Sequence, residues 1–380
     1  MLFLTVFLDL VGFGMIIPIL PTYAESMHAT DVEAGFLQAI YSIMQLGFSP
    51  IWGRISDRIG RRPVLLVSIL GSCGSQLGFA FAPSFWWLVV ARGFAGVCGA
   101  NITAAQAYVA DVTDAKSRAA GMGMFGAAMG LGFVLGPAIG AGLVQISPQT
   151  PFLAAGCLAA VNFVLAWFIL KEPRTTSERS EARALSWSAV IATIKTPKLL
   201  SLIVLFFLVT LGFANLESTF SFFLERRFSY GQREASFVFA YIGVILIGVQ
   251  GGLVRRLVPR FGERRLVWFG TGMMAVGFVG LWVSDNLLSL LVSLFIIGVG
   301  NGVNTPSLSS LISRSAGGDR QGGVLGVNQA AGALARTLGP LLGTFMLRFD
   351  ATTPYLTGAI ILACACAFAV ANVAEPPEGS

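Results

Sequence analysis

Twelve stretches of apolar residues run along this chain of 380 residues, separated by short breaks of charged residues, proline or glycine. A helix needs about 20 consecutive apolar residues to cross a bilayer, and most of the stretches have that length. We number them segments 1 to 12 and place them at 2–22, 34–52, 63–82, 85–110, 119–145, 151–170, 199–222, 235–254, 265–283, 287–312, 321–347 and 353–373. The pattern predicts an all-α membrane protein with twelve transmembrane helices and short loops.

The composition agrees with this prediction. Hydrophobic residues make up 55% of the chain and charged residues only 12%, whereas a soluble domain carries roughly 25% charged residues. The five cysteines lie inside apolar segments, and the single histidine, His28, lies in a polar turn. A disulfide framework, a metal site and a Ser-His triad are therefore not expected. We expect neither a soluble enzyme nor an intramembrane one, and no cofactor or metal.

The positions of the charges predict an orientation. Most of the 25 Lys and Arg residues lie in the gaps that follow even-numbered segments. Cytoplasmic loops of membrane proteins carry such an excess, so both termini are predicted to be cytoplasmic. The net charge of +6 then reflects topology, not affinity for nucleic acid. The chain enters segment 1 without the basic region of a signal peptide. We expect a multi-pass protein, in contact with membrane lipids, in a bacterial inner membrane.

The two halves of the chain resemble each other. The longest polar gap, 171–197, separates six segments from six. At an offset of 202 residues, Arg58-Ile59-Gly60 aligns with Arg260-Phe261-Gly262 and Arg118 with Arg320; one residue further, Gly136-Pro137 aligns with Gly339-Pro340. The repeat predicts a six-helix bundle at 1–170, a cytoplasmic linker at 171–197 and a second, pseudo-symmetric six-helix bundle at 198–380. Parallel repeats of this kind are typical of secondary transporters with a midplane substrate site.

Two motifs lie in the first half. The loop between segments 2 and 3 reads Gly53-Arg54-Ile55-Ser56-Asp57-Arg58-Ile59-Gly60-Arg61-Arg62-Pro63. Its glycines suit a tight turn, and its lone acid can pair with arginines or cap a helix N-terminus. Segment 5 carries Gly132, Gly136, Pro137 and Gly140. Glycines at this spacing let another helix approach closely, and proline can kink a helix. Plain helix packing is the alternative to a role in conformational change.

These motifs resemble those of the major facilitator superfamily. The loop matches its G-x-x-x-D-R-x-G-R-R signature, and segment 5 is similar to its antiporter motif. Segment 4, with Arg92, is similar to the family's fourth-helix pattern. Segment 1, FLDLVGFGMIIPILP, resembles the drug–proton antiporters, particularly tetracycline-type exporters.

The resemblance implies two six-helix bundles, with helices 1, 4, 7 and 10 lining the cavity. It implies a proton-coupled antiporter that works as a monomer and exports lipophilic or amphipathic small molecules by alternating access. It also implies that Asp57 docks on helix 11 and that Arg61 pairs with Asp111. Together with Gly53, Arg58, Gly60 and Arg62, these residues would form a conformational latch.

Four charged residues lie inside apolar segments: Asp9, Arg92, Glu217 and Arg336. Charges at membrane depth are costly unless paired or hydrated, so each is a functional candidate. We interpret Asp9 as the proton carrier and Arg92 as its coupling partner. A permanent Asp9–Arg92 ion pair that serves only assembly is the alternative. Glu217 is a second proton-site candidate or snorkels to the surface, and Arg336 is expected to face the cavity.

The remaining polar residues of the segments are cavity candidates. Tetracycline-type exporters carry acids in helices 3 and 9, where this chain has Ser75 and Gln76 in segment 3 and Thr271 in segment 9. Some of the amides are expected to form interhelical hydrogen bonds instead of binding substrate. The full set of substrate-site candidates, in addition to Glu217 and Arg336, is Phe13, Gln38, Tyr41, Gln45, Gln76, Asn101, Gln106, Phe213, Asn215, Asn301, Asn304, Asn328 and Gln329.

Three other functions remain compatible with this pattern. The first is a lipid or glycolipid flippase of the same fold, for which Arg336 would suit an amphipathic anion. The second is a solute importer or uniporter, against which the antiporter-type segment 5 argues. The third is a transporter-like receptor or scaffold, which would need none of the intramembrane charges.

Overall fold

The computed structural model describes residues 2–100, 102–112, 128, 131–132, 135–173, 195–315 and 321–372. Helical residues at 131–132 and 135–143 belong to segment 5. The other helices are Leu2–Ile16, Leu20–Glu25, Asp31–Ile59, Arg61–Ala80, Phe85–Gly99, Ile102–Val112, Thr150–Ile169, Pro197–Phe228, Gln232–Gly248, Val254–Val283, Leu287–Ser315, Gln321–Met346 and Thr353–Asn372, with a π-helical turn at Val249–Leu253.

Six of these helices are long and apolar enough to cross a membrane. They occupy segments 3, 6, 7, 9, 10 and 12. The apolar helices of segments 1 and 4 are shorter, at Phe3–Ile16 and Phe85–Gly99. The chain is therefore an all-helical, multi-pass membrane protein over the part that is described.

Two regions differ from the helix limits expected from the sequence. Segment 1 holds two helices, because Pro18 follows the first and proline lacks a backbone donor and clashes with the preceding turn. Segments 8 and 9 are connected by helix instead of loop. The chain passes through the π-turn at Val249–Leu253 and bends at Gly262, whose φ is +74°. Pi-turns of this kind mark local interruptions of the regular ladder.

The chain divides into two compact units. Unit 1 contains residues 1–184 and 230–243, and unit 2 contains residues 185–229 and 244–380. The first part of the helix Gln232–Gly248 is thus grouped with the N-terminal segments.

Each unit packs its helices in the same pattern. In unit 1, segment 3 contacts segments 4 and 6, and segment 1 contacts segment 6. In unit 2, segment 9 contacts segments 10 and 12, and segment 7 contacts segment 12. Each second-half segment is the repeat equivalent of its first-half counterpart. Gly60 and Gly262, aligned at the offset of 202 residues, are the two glycines with positive φ among the described residues. The sequence repeat is therefore also a repeat of local structure.

Candidate functional site

The turn of segment 1 that carries Asp9 contacts two other segments of unit 1. The Asp9 side chain is partly buried and lies next to the Ser72 side chain of segment 3. One turn earlier, the backbone carbonyl of Thr5 accepts a hydrogen bond from Asn162 Nδ2 of segment 6, at 2.9 Å. That carbonyl also precedes Asp9 by four residues, the spacing of a helical hydrogen bond. Asn162 thus fastens segment 1 at the turn that carries Asp9.

Sequence reasoning missed both Ser72 and Asn162. Among the polar residues of segment 3 it selected Ser75 and Gln76. The Ser75 hydroxyl donates to the backbone carbonyl of Ser72 within its own helix, at 2.8 Å. Gln76 is buried, and its Oε1 has no hydrogen-bond partner in the described part of the chain. The signal for Asn162 was present, because an amide in an otherwise apolar segment needs a partner.

Arg92 lies in an aromatic and amide cluster. It is 2% exposed, and its Nη2 donates to Gln38 Oε1 at 2.9 Å. Its guanidinium carbon lies 4.7 Å from the ring centroid of Tyr41 and 5.4 Å from that of Phe13, and the two rings are 5.2 Å apart. Cation–π contacts of this kind stabilise a desolvated guanidinium. The structure thus brings together four predicted residues: a coupling residue and three substrate-site candidates.

Asp9 and Arg92 belong to the same unit but not to one ion pair. Among the described residues there is no ion pair between them. Asp9 instead lies next to Ser72, and Arg92 donates a hydrogen bond to Gln38. Phe13 follows Asp9 by four residues and therefore lies on the same face of the helix, one turn away. The Arg92 cluster is thus adjacent to Asp9 along segment 1. The predicted coupling between the two charges stays a prediction.

The loop between segments 2 and 3 is fastened at three points. Arg61 Nε lies 3.2 Å from Asp111 Oδ2, with side chains 7% and 10% exposed, and Arg61 Nη1 donates to Ser56 Oγ at 2.5 Å. Both backbone N–H groups of Arg61 and Arg62 donate to the carboxylate of Glu172, each at 2.9 Å. The carboxylate caps the helix at its positive end. The contact between Arg61 and Asp111 is present as the resemblance implied.

Glu172 was not among the predicted residues. Gly60 has a φ of +111°, and the Glu172 carboxylate lies so close to it that a Cβ atom at residue 60 would clash with the carboxylate. The Arg62 side chain also contacts segment 6: it donates from Nε to Leu170 O and from Nη2 to Trp167 O, both at 2.7 Å. These carbonyls end the helix of segment 6, where a cation is favoured. The loop is therefore joined to the end of segment 6.

The other latch candidates are less defined. Gly53 was expected to suit a tight turn, but it lies inside the helix Asp31–Ile59, with open space where a side chain would begin. Arg58 is exposed. The Asp57 side chain lies outside the described residues, and so does any contact it makes with segment 11.

Unit 2 carries an ion pair of reversed polarity at the equivalent place. Glu263, directly after Gly262, lies 3.6 Å from Arg314 Nη1 and accepts a hydrogen bond from Ser310 Oγ at 2.5 Å. The repeat aligns Glu263 with Arg61, and Arg314 with the neighbourhood of Asp111. Here Glu263 is 12% exposed and Arg314 59% exposed, so this pair is much more hydrated. Neither residue was predicted.

The segment 5 motif packs against segment 1. Added Cβ atoms at Gly132, Gly136 and Gly140 would lie 2.6 to 2.7 Å from atoms of segment 1. In unit 2, an added Cβ on Gly339 would lie 2.7 Å from Ala214 Cβ, and Gly343 faces Asn215, both on segment 7. Each unit thus has a glycine-lined contact between equivalent segments. Pro137 of segment 5 is also buried at this contact.

Three predicted cavity amides form interhelical hydrogen bonds. Gln45 Nε2 donates to Gly99 O at 3.1 Å. Asn215 is fully buried and donates to Pro354 O at 2.9 Å. Asn304 is also fully buried and donates to Val267 O and to the Thr271 hydroxyl. These bonds connect segments 2 with 4, 7 with 12 and 9 with 10.

The rest of the cavity candidates are scattered. Asn328 is buried, and its Oδ1 has no hydrogen-bond partner among the residues described. Asn301 accepts a hydrogen bond from the Thr305 hydroxyl on its own helix. Phe213, Glu217 and Arg336 are partly buried, and Gln329 is exposed. Asn101 and the Gln106 side chain lie outside the described residues. No cluster of three or more His, Cys, Asp or Glu side chains suited to a metal ion occurs in the described ranges.

Comparison with known proteins identifies the relatives of this chain. It is 32% identical to tetracycline resistance protein, class C, of Escherichia coli, over 92% of this chain and 89% of that protein. It is 30% identical to multidrug resistance protein 2 of Bacillus subtilis (strain 168), over 94% and 90%. Among solved structures, the human organic anion transporter MFSD10 (TETRAN) superposes with a TM-score of 0.76 and 25% identity, covering 97% of both chains.

The family itself follows from its sequence model. That model, described as Major Facilitator Superfamily, matches residues 2–335 and again 252–380. The two matches overlap, so that together they extend from residue 2 to residue 380. The loop motif, the repeated packing of the two units and this match agree: the chain belongs to the Major Facilitator Superfamily.

Proposed function

We propose that this protein exports lipophilic or amphipathic small molecules by alternating access, in exchange for protons that bind Asp9. The observation that carries the proposal is the position of Asp9 beside Ser72, one helical turn from the cluster of Phe13, Tyr41 and Arg92. A carboxyl group in an apolar segment is costly to keep and is typical of a proton relay. An aromatic cluster with one cation and one amide suits an amphipathic ligand.

The relatives support export of drugs. Those named above are a tetracycline resistance protein and a multidrug resistance protein. Segments 3 and 9 of this chain offer Gln76 and Thr271 at membrane depth instead of acids, and Thr271 already bonds to Asn304. A range of lipophilic drugs is therefore a better candidate substrate class than a metal–tetracycline complex.

The finer architecture belongs to the same proposal. Twelve helices would form one six-helix bundle at 1–170 and another at 198–380, joined by a cytoplasmic linker at 171–197. The protein would work as a monomer in a bacterial inner membrane with both termini in the cytoplasm. The contacts of Arg61 with Asp111 would form part of a latch that one of the two transport states releases.

The test uses sealed proteoliposomes with an imposed pH gradient. Lumenal pH is recorded while lipophilic cations, tetracyclines or lysolipids are added, for the wild type, Asp9→Asn and Glu217→Gln. We expect proton movement triggered by a lipophilic drug, its loss in Asp9→Asn, and its persistence in Glu217→Gln. Both variants keep the side-chain volume of the residue they replace, so we do not expect a folding defect to cause a difference between them.

Three results would contradict the proposal. Proton movement that survives Asp9→Asn but not Glu217→Gln would move the proton site to segment 7. No proton movement with any compound, while a fluorescent lipid still crosses the bilayer, would favour the flippase. Retention of drug uptake after loss of Asp9, with no proton movement, would favour a uniporter.

A further inference from the structure

The contact between segments 1 and 5 is glycine against glycine. An added Cβ on Gly136 would lie 2.7 Å from the Cα of Gly14 and from the carbonyl oxygen of Val11. Conversely, an added Cβ on Gly14 would lie 2.9 Å from the carbonyl oxygen of Gly132 and 3.3 Å from both Gly136 Cα and Pro137 Cδ. All these neighbours except the proline ring are backbone atoms. No side chain can move aside here, so any added atom must displace one helix relative to the other.

Gly12, two residues away on the same helix, is in a different situation. An added Cβ there would lie 3.7 Å from Ala155 Cβ and from its carbonyl oxygen, which is ordinary van der Waals contact. Both glycines are buried. Replacement by alanine reduces the backbone freedom of the unfolded chain to the same extent at each position. The two positions therefore differ in one respect, which is whether a methyl group displaces segment 1 from segment 5.

Asp9 is on the same rigid helix as both glycines. It precedes Gly14 by five residues, or about 7.5 Å along the helix axis. Its carboxylate lies next to the Ser72 side chain of segment 3, and in the preceding turn Asn162 Nδ2 donates to the Thr5 carbonyl oxygen at 2.9 Å. Hydrogen bonds tolerate only a few tenths of an ångström before they weaken. A displacement of segment 1 by one methyl contact is larger than that tolerance.

Unit 2 repeats this arrangement with its own intramembrane acid. Gly339 and Gly343 of segment 11 face Ala214 and Asn215 of segment 7. Glu217 follows two residues later on segment 7. In each unit, therefore, the helix that carries an intramembrane carboxyl is the helix that the glycine contact holds.

We propose that Gly14 is a positioning residue for proton coupling: its close contact with Gly132 and Gly136 sets the position of segment 1, and with it the position of Asp9 relative to Ser72. The proposal rests on the proposed role of Asp9 as the proton carrier. Gly14 acts through Asp9 and touches neither proton nor drug.

The test compares Gly14→Ala with the matched control Gly12→Ala in proteoliposomes, with Asp9→Asn alongside. We expect Gly14→Ala to release about tenfold fewer protons per drug molecule moved, as misplacement of a reacting group commonly costs that much or more. Downhill drug movement without a proton gradient should remain within about twofold of the wild type. The pH of half-maximal proton release should also change in Gly14→Ala and stay unchanged in Gly12→Ala.

A second measurement covers the case in which Gly14→Ala does not reconstitute. Modification of Asp9 by a hydrophobic carbodiimide is followed against pH in detergent, in Gly14→Ala and in Gly140→Ala, a second variant at the same helix contact, where the added Cβ meets the Met15 carbonyl oxygen at 2.7 Å. Both variants place a Cβ atom under 3.0 Å from a backbone oxygen of the facing helix, so a pH profile displaced in both but not in Gly12→Ala supports the proposal.

The outcomes separate this proposal from the proposed function. Unchanged coupling and labelling in Gly14→Ala, with coupling lost in Asp9→Asn, would overturn the role of Gly14 alone. Equal loss of coupled and downhill transport in Gly14→Ala, with an unchanged labelling profile, would also overturn it, because that pattern is purely structural. Full coupling in Asp9→Asn would instead refute the role of Asp9.

Discussion

The two ion pairs at equivalent places of the repeat should contribute very differently to stability. Arg61 and Asp111 are 7% and 10% exposed, so removal of one partner leaves a poorly hydrated charge. Such removal typically costs about 3–5 kcal/mol. Arg314 is 59% exposed and 3.6 Å from Glu263, and hydrated pairs of that kind contribute roughly 0–1 kcal/mol. The expected ratio between the two is therefore at least about threefold.

Neutral replacements measure the difference. Thermal unfolding in detergent is followed by the loss of helical circular dichroism for Arg61→Gln, Asp111→Asn and Arg314→Gln. A domain of 150–250 residues loses about 2–4 °C per kcal/mol. We expect the melting temperature to fall by roughly 6 °C or more in each of the first two variants, and by less than about 4 °C in Arg314→Gln.

The double variant Arg61→Gln/Asp111→Asn supplies the control. Because each single variant leaves a charge without its partner, the double variant should be clearly less destabilised than the sum of the two. Equal destabilisation by Arg314→Gln and Arg61→Gln would refute the argument from exposure. So would strict additivity in the double variant, which would mean that the two charges do not interact at 3.2 Å.

Three further predictions concern single side chains. Glu172→Gln weakens the cap on the two backbone N–H groups after Gly60, so hydrogen exchange of the first turn of the helix Arg61–Ala80 should accelerate by about tenfold or more, while the first turn of Leu287–Ser315 stays unchanged. Arg92→Lys loses the planar guanidinium over Tyr41 and should reduce drug export about tenfold, whereas Arg233→Lys, exposed over Phe237, should not change it. The backbone N–H and hydroxyl of Thr30 donate to the Glu33 carboxylate and hold its pKa below the ordinary 4.5. The stabilisation that these hydrogen bonds give to the helix Asp31–Ile59 is therefore complete above pH 4.5 and is lost as the pH falls through the lowered pKa. Amide exchange of the first turn of this helix, measured against pH, should report the loss.

Much of the organisation was accessible from the sequence because it depends on local pattern. The repeat offset of 202 residues correctly aligned Gly60 with Gly262, and both have positive φ. The pattern of apolar stretches and polar breaks identified the six helices that are long and apolar enough to cross a membrane. The limits failed where the pattern stays apolar across a change of backbone, at Pro18 and at the π-turn of segment 8. Hydropathy carries no information about hydrogen-bond register, so it showed neither interruption, although Pro18 itself is a sequence signal for the first of them.

The candidate site was accessible only in part. Arg92, Phe13, Tyr41 and Gln38 were each selected as polar or aromatic residues in apolar segments, and the structure brings these four together. Their neighbours Ser72 and Asn162 were missed. A serine side chain in a helix commonly bonds to the backbone of its own helix, and the position of Asn162 in an apolar segment indicates that it needs a partner but not which one. Only the packing of segments 3 and 6 against segment 1 distinguishes them.

The sequence by itself determined that the chain belongs in a membrane and that its halves repeat, because composition and repeat offset are properties of the chain alone. Tertiary structure decided which groups meet: Glu172 reaches the helix that begins at Arg61, more than a hundred residues earlier, and Gly14 meets Gly136 with no atom between them. The physical reason is that partners across helices are selected by crossing geometry and shared depth, which depend on all the packed surfaces at once.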